Sequence, residues 1–158
     1  MSNKFLQIKH YTDKNCNYFY AERLGVDSVA FILHDKQVGL YGLISEFKPP
    51  IDRFLTTAFG GSIDKDKPYE QIVREEVEEE AGYRGDLIIT ARGKAFVSTQ
   101  MNQFCYLYHV DVTNAEKCPT IPHTEMDKLA TTHWLRKRDV MASDCWKAIT
   151  IIARGEPR

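Results

Sequence analysis

The sequence predicts an α/β fold with a mixed sheet packed between helices, and three observations predict it. Apolar strand-like segments stand both before and after one acidic helix, and a second helix with apolar residues at helical spacing closes the chain. With 158 residues, 43% hydrophobic and 27% charged, the chain is long enough to bury a real core as one domain. No repeat or low-complexity segment interrupts it.

Taken in order, residues 27–34 (Asp-Ser-Val-Ala-Phe-Ile-Leu-His) and 37–47 read as a hairpin of buried strands, split by the turn Asp35-Lys36. Lys48-Pro49-Pro50-Ile51-Asp52 ends the second strand. A short strand over 54–59 runs into Gly60-Gly61, and Pro68, tolerated in a first helical turn, opens a helix that ends near Gly82. Strands over 86–97 and 103–112 follow, bridged by the polar segment Ser98-Thr99-Gln100-Met101-Asn102, a candidate binding loop. An irregular stretch, 113–128, leads to a strand over 130–135. Ser143 or Asp144 then caps a last helix in which Trp146, Ile149, Ile152 and Ala153 recur at helical spacing.

The acidic helix carries the chemistry. Five glutamates fill the six positions from Glu75 to Glu80, and at 3.6 residues per turn Glu76, Glu79 and Glu80 share one face. Most charge runs are solvated helix faces. Here Glu76 and Glu80 fall in the arc that also carries Tyr69, Ile72 and Val73, the arc that turns toward the protein. Like charges at i, i+4 destabilise an isolated helix by roughly 0.2–0.5 kcal/mol per pair, and partly buried carboxylates need a partner or a metal. Hard oxygen ligands suit Mg²⁺ or Mn²⁺.

These residues resemble the Nudix hydrolases, whose box reads G-x5-E-x7-R-E-U-x-E-E-x-G-U with U apolar. Gly61, Glu76, Val77, Glu79, Glu80, Gly82 and Tyr83 match in register, whereas Lys67 and Glu75 stand where the box has glutamate and arginine. Residues 29–31, the turn Glu46-Phe47-Lys48-Pro49-Pro50 and the approach over 54–61 look like the ADP-ribose and nucleotide-sugar branch, so the resemblance covers residues 26–153. It implies a Nudix-type α/β/α sandwich with a mixed central sheet. In relatives of that branch the N-terminal strands often build a homodimer. Residues 3–22, rich in Phe and Tyr, are therefore either such an interface or a strand packed on its own sheet.

By the same resemblance Glu76, Glu79 and Glu80 supply the metal pocket, with Glu76 and Glu80 the direct ligands and the Gly60 carbonyl one more oxygen. Gly60-Gly61 lets the backbone approach metal and phosphate closely. The branch uses a further loop glutamate to position water. Glu125, within His123-Thr124-Glu125-Met126-Asp127, is the choice over Glu116 and Asp127, Glu79 is the other candidate, and His123 is secondary. For the substrate, Gly61, Phe47, Ser98, Gln100 and Asn102 are the expected contacts. The proline of many ADP-ribose hydrolases falls at Ser98, and Phe96, Tyr106 and Tyr108 are further stacking candidates or core.

The sign reversal at Lys67 and Glu75 reads either as a swapped ion pair, spanning about 12 Å of helix axis, or as two independent surface changes. The expected activity is divalent-metal-dependent hydrolysis of the pyrophosphate bond in a nucleoside diphosphate derivative, ADP-ribose or a nucleotide sugar. Two alternatives stay open: a nucleoside triphosphate hydrolase, and an inactive fold that binds nucleotide or a protein. Three acids kept on the core side argue against the inactive fold.

A formal net charge of -1 argues against nucleic acid and anionic membranes as partners, and the triplet Arg136-Lys137-Arg138 is too short for a binding patch. Cys16, Cys105, Cys118 and Cys145 show neither zinc nor disulfide spacing. No apolar run reaches a membrane span, and the first residues lack a signal-peptide core, so a soluble cytoplasmic protein is the expectation.

Overall fold

A computed structural model of the protein describes residues 6–23, 27–63, 66–124 and 127–155. The strands are β1 (Leu6–Thr12), β2 (Asn17–Arg23), β3 (Ser28–Asp35), β4 (Leu40–Lys48), β5 (Arg53–Thr57), β6 (Phe59–Ser62), β7 (Tyr83–Arg84), β8 (Ile88–Ser98), β9 (Met101–Asp111), β10 (Glu116–Lys117) and β11 (Thr131–Leu135). The helices are α1 (Tyr69–Glu76), α2 (Lys137–Met141) and α3 (Trp146–Ala153). The main sheet runs β1-β2-β9-β3-β4-β11, with β5 on β4, β6 on β3 and β8 on β9. It is mixed: β9 pairs parallel to both β2 and β3, while the other pairs are antiparallel.

Strand β3 shows why its sequence is a continuous apolar run. Val29, Phe31 and Leu33 pack with Ile72, Val73 and Val77 on one side, and Ala30 and Ile32 pack with Val140, Ala148 and Ile151 on the other. Helices therefore cover both faces, and neither face of β3 meets water between Val29 and Leu33. The expected α/β architecture holds. The strand expected over 54–59 is two, because β5 pairs with β4 and β6 with β3, and the chain changes partner at Ala58. Helix α2 begins within the basic triplet, whose three residues are exposed.

The acidic helix also differs from expectation. It is α-helical only through Glu76, and Val77–Ala81 form a π turn closed by Gly82 at φ 69°. Gly82 is required there, since a Cβ would stand 2.6 Å from the Cys118 carbonyl oxygen. The stretch after β10 is bonded to this turn through its backbone: Cys118 N–H donates to Gly82 O (2.8 Å) and Ile121 N–H to Glu79 O (2.7 Å).

The N-terminal segment forms the antiparallel hairpin β1–β2, attached to β9 by Ala21↔Met101 and Glu22↔Asn102. It thus extends its own sheet, and it leaves Ile8, Tyr11 and Phe19 exposed. Among the described residues no helix is long and apolar enough to cross a membrane.

Candidate active site

Strand β6 lies on β3 with Gly60 opposite Ala30 and Gly61 opposite Val29, which brings the two glycines beneath α1 and its π turn. The close approach explains both. A Cβ on Gly60 would stand 2.8 Å from the Val29 carbonyl oxygen, and one on Gly61 would overlap the Glu76 carboxylate. Gly61 therefore makes room for a glutamate.

Glu80 comes from the π turn, half-buried, and accepts a hydrogen bond from the Gly60 N–H. Burial pushes its carboxyl up to about 8, and the charges of Glu76, Glu46 and Asp127 add to the rise, while the Gly60 N–H works against it. Glu46 reaches this place from β4 and is ion-paired with Lys48. Glu79 lines the same cavity as Glu80 but has a different partner. Its Oε2 lies 3.2 Å from His123 Nε2, on a loop that Asp127 ties by accepting hydrogen bonds from the His123 N–H (3.0 Å) and the Thr124 N–H (2.7 Å).

Two cavities meet at Glu46. One is lined by Glu46, Glu79, Glu80, His123 and Asp127; the other by Glu46, Lys48, Gly60, Gly61, Arg23 and Trp146. Arg23 donates to Ser62 Oγ at 2.6 Å, so its guanidinium is fixed in the second cavity wall.

The expected single face of three glutamates is thus corrected. The π turn abandons the 3.6-residue period, so Glu76 rests on Gly61, Glu80 on the Gly60 N–H and Glu79 on His123. Among the described residues no three His, Cys, Asp or Glu side chains are arranged to hold a metal ion. What Glu80 does show is electrostatic need: a half-buried carboxyl among three other acids, with oxygen donors throughout, is chemistry that a hard divalent cation fits.

The other expected residues separate. Phe47 packs edge-to-face on Phe54 (5.6 Å) and lines neither cavity. Ser98, Gln100 and Asn102 also line neither. The bridge between β8 and β9 is a tight turn, and Gln100 O accepts from the Ala21 N–H (2.7 Å), so these residues lie against β1–β2. Glu125 lies outside the described residues. Glu46, Lys48, Arg23 and Trp146 went unnoticed as site residues. For Glu46 the available signal was its parity with Ile44, which puts both on the α1 face of β4.

Comparison with known proteins gives a fold and no sequence relationship. No family model and no curated protein matches the chain. Among solved structures, one described as "Crystal structure of ADP compounds hydrolase" matches with probability 1.00 and a TM-score of 0.70, covering 89% of this chain and 76% of that one at 10% identity. At that identity the likeness shows the fold alone, a Nudix-like mixed sheet flanked by helices.

Proposed function

We propose that the protein hydrolyses the pyrophosphate bond of a nucleoside diphosphate joined to another moiety, ADP-ribose or a nucleotide sugar, with Mg²⁺ or Mn²⁺ as cofactor. One observation carries the reading. Glu80 is pressed by burial and by Glu76 and Glu46 to about 8, beside a backbone freed of Cβ atoms at Gly60 and Gly61. Acids forced together beside open backbone form a place for cations and phosphates, not a solvated surface.

In this reading Glu76 and Glu80 would be the direct ligands of the ion, with Glu46 adding its charge nearby. When bound, a divalent ion neutralises pyrophosphate charge and acts as a Lewis acid at phosphorus. The Gly60 N–H fixes the Glu80 carboxylate. Arg23 and Lys48 bring two cations to the cavity beside Gly61, suited to phosphate oxygens, and the exposed Trp146 ring at its rim offers a stacking face for a base. Glu79, in contact with His123 Nε2, is our candidate to take a proton from water. Glu125, in the same sequence loop, shares that candidacy. The fold neighbour described as an ADP compounds hydrolase agrees with this substrate class.

The test is a hydrolysis screen with Mg²⁺ and Mn²⁺ against ADP-ribose, nucleotide sugars, dinucleoside polyphosphates and nucleoside triphosphates. Turnover of the first two classes, abolished by chelator, is the expected result. Preference for triphosphates would move the protein to the house-cleaning class, and silence across the panel would leave binding alone.

For assembly, the exposed apolar side chains of β1–β2 make that hairpin the proposed surface for a second copy of the chain. Light scattering of wild type and Ile8→Lys/Phe19→Lys protein tests it: a wild-type monomer rejects the dimer.

A further inference from the structure

A separate pocket lies at the other end of the sheet. Along β3, Val29 faces Gly61, whereas His34 pairs with Tyr41 of β4 and Asp111 of β9. Five residues of strand separate them, about 16 Å. Among the described residues this pocket is lined by His34, Lys36, Arg92, His109, Asp111 and Lys137, closed below by the end of α3. It shares no lining residue with the two cavities of the candidate active site.

The chain is built to deliver Arg92 there. Pairing between β8 and β9 passes from Ala91↔Tyr108 to Lys94↔Tyr106, so Arg92 and Gly93 together oppose Leu107 in a bulge, with Gly93 at φ 82°. Bulges re-aim side chains. The redirected guanidinium lies on Gly155, where a Cβ would stand 2.9 Å from Arg92 Cζ. Arg154 Nη1 then donates to Arg92 O (2.9 Å) and Lys94 O (3.1 Å), clamping the bulge to the end of α3. Despite this, Arg92 Nε is buried without a hydrogen-bond partner. A buried donor left without an acceptor is costly, and the residue that carries it lines the pocket.

Charge points the same way. Three cations, Lys36, Arg92 and Lys137, line the pocket against one carboxylate. That carboxylate is engaged: Asp111 Oδ2 holds Lys36 Nζ at 2.8 Å, and Oδ1 accepts from the Thr113 N–H (3.0 Å) and hydroxyl (2.5 Å). His34 Nδ1 and His109 Nε2 are 3.0 Å apart, and Tyr41 stacks on His34 at 4.1 Å. Two neutral imidazoles carry two N–H groups, one of which lies between the rings, so the pair keeps one donor for a ligand.

We infer that this pocket binds a small phosphate-type oxyanion, free or as the phosphate of a monoester. Clustered cations, a guanidinium donor lacking an acceptor and a residual imidazole N–H match a tetrahedral, multiply charged acceptor. The site is independent of the proposed hydrolysis.

The experiment titrates the whole protein with inorganic phosphate, and separately with a nucleoside 5′-monophosphate, at constant ionic strength, reading the imidazole resonances of His34 and His109. The expected result is saturable perturbation of both, with a dissociation constant at or below roughly 1 mM, weakened at least about tenfold in Arg92→Met. Response to both probes identifies the phosphate group as sufficient; response to the monophosphate alone identifies a monoester. Should Arg92→Met fail to fold, Lys137→Met serves as the weakened variant. Absence of saturable perturbation by either probe up to about 10 mM, or unchanged binding in the folded variant, overturns the inference.

Discussion

Lys67 and Glu75 form an ion pair across eight residues, with Nζ 2.5 Å from Oε1 and Gln71 Nε2 adding a hydrogen bond to the same oxygen at 3.3 Å. Of the two readings of this sign reversal, the swapped pair is the one observed. The expected span along the helix axis never has to be bridged, because Lys67 precedes the helix and Pro68, at φ -54° and ψ 137°, turns the chain ahead of α1. The neighbouring Arg74 is used elsewhere, donating to Gly85 O (3.2 Å) and Leu87 O (3.3 Å).

Both partners of the pair are about one-third exposed, so its worth in stability is at most about 1 kcal/mol. Its expected effect is on the orientation of the turn that carries Glu76. A double-mutant cycle in kcat checks this. Lys67→Glu with Glu75→Arg should lose much less activity than the two single changes summed, and additive losses would discard the coupling.

Replacing Glu80 by Gln removes the ionisable carboxyl that would hold the metal, with almost no change in volume. Turnover should fall at least about 10²-fold in steady-state assays, with the circular dichroism spectrum retained. Wild-type turnover in that protein, or in excess chelator, contradicts the metal reading.

The two candidates for handling the water proton are separable by substitution. Glu79→Gln and Glu125→Gln should each be measured for kcat and KM, and the residue that serves lowers kcat with KM little changed. If Glu79 serves, His123→Ala should follow it partway, through loss of the 3.2 Å contact. Unchanged kcat in all three returns the role to another group.

Gly61→Ala tests the packing that seats Glu76. The new Cβ must displace that carboxylate, which is the end of a flexible side chain, so stability should change little while activity falls. A melting temperature lowered in proportion to activity would mean that the strand, not Glu76, had moved.

His109 gives a stability prediction with a definite sign. Burial, then His34, Arg92 and Lys36, hold its imidazole down from 6.5 to about 4, with Asp111 opposing. The unfolded chain therefore binds the proton first as pH falls, so this contribution is present above about 6.5 and is lost toward 4. Denaturant melts across that window should show the decline, flattened in His109→Gln. A curve identical to wild type contradicts the assignment.

Much of the core was legible because β3 is buried on both faces over residues 29–33 and reads as a continuous apolar run, with apolar stretches of β4 and β9 beside it, bounded by a turn, prolines and polar bridges. Helix α3 was legible as a helix but not in its buried face, which is Ala148, Ile151 and Ile152, whereas Trp146 and Ala153 are exposed. The glutamates were legible as a group yet not in arrangement, since nothing in Val77-Glu78-Glu79-Glu80-Ala81 marks a π turn, and a 3.6-residue wheel rotates Glu79 and Glu80 wrongly. Glu46 and Arg23 join the site through long-range pairings, β4 on β3 and β2 on β9, that no local pattern encodes. The β1–β2 ribbon, exposed along most of its length, offered no alternation to read.

The wall facing the glutamates is secured to the π turn by Cys118 N–H and Ile121 N–H, groups every residue except proline possesses. Its side chains are therefore free to drift under selection while its path stays fixed. Cavity shape and polarity can be rewritten at Thr120 or Ile121 one substitution at a time, without relocating the acids behind them. A site partitioned in this way can change what it accepts faster than it changes how it reacts.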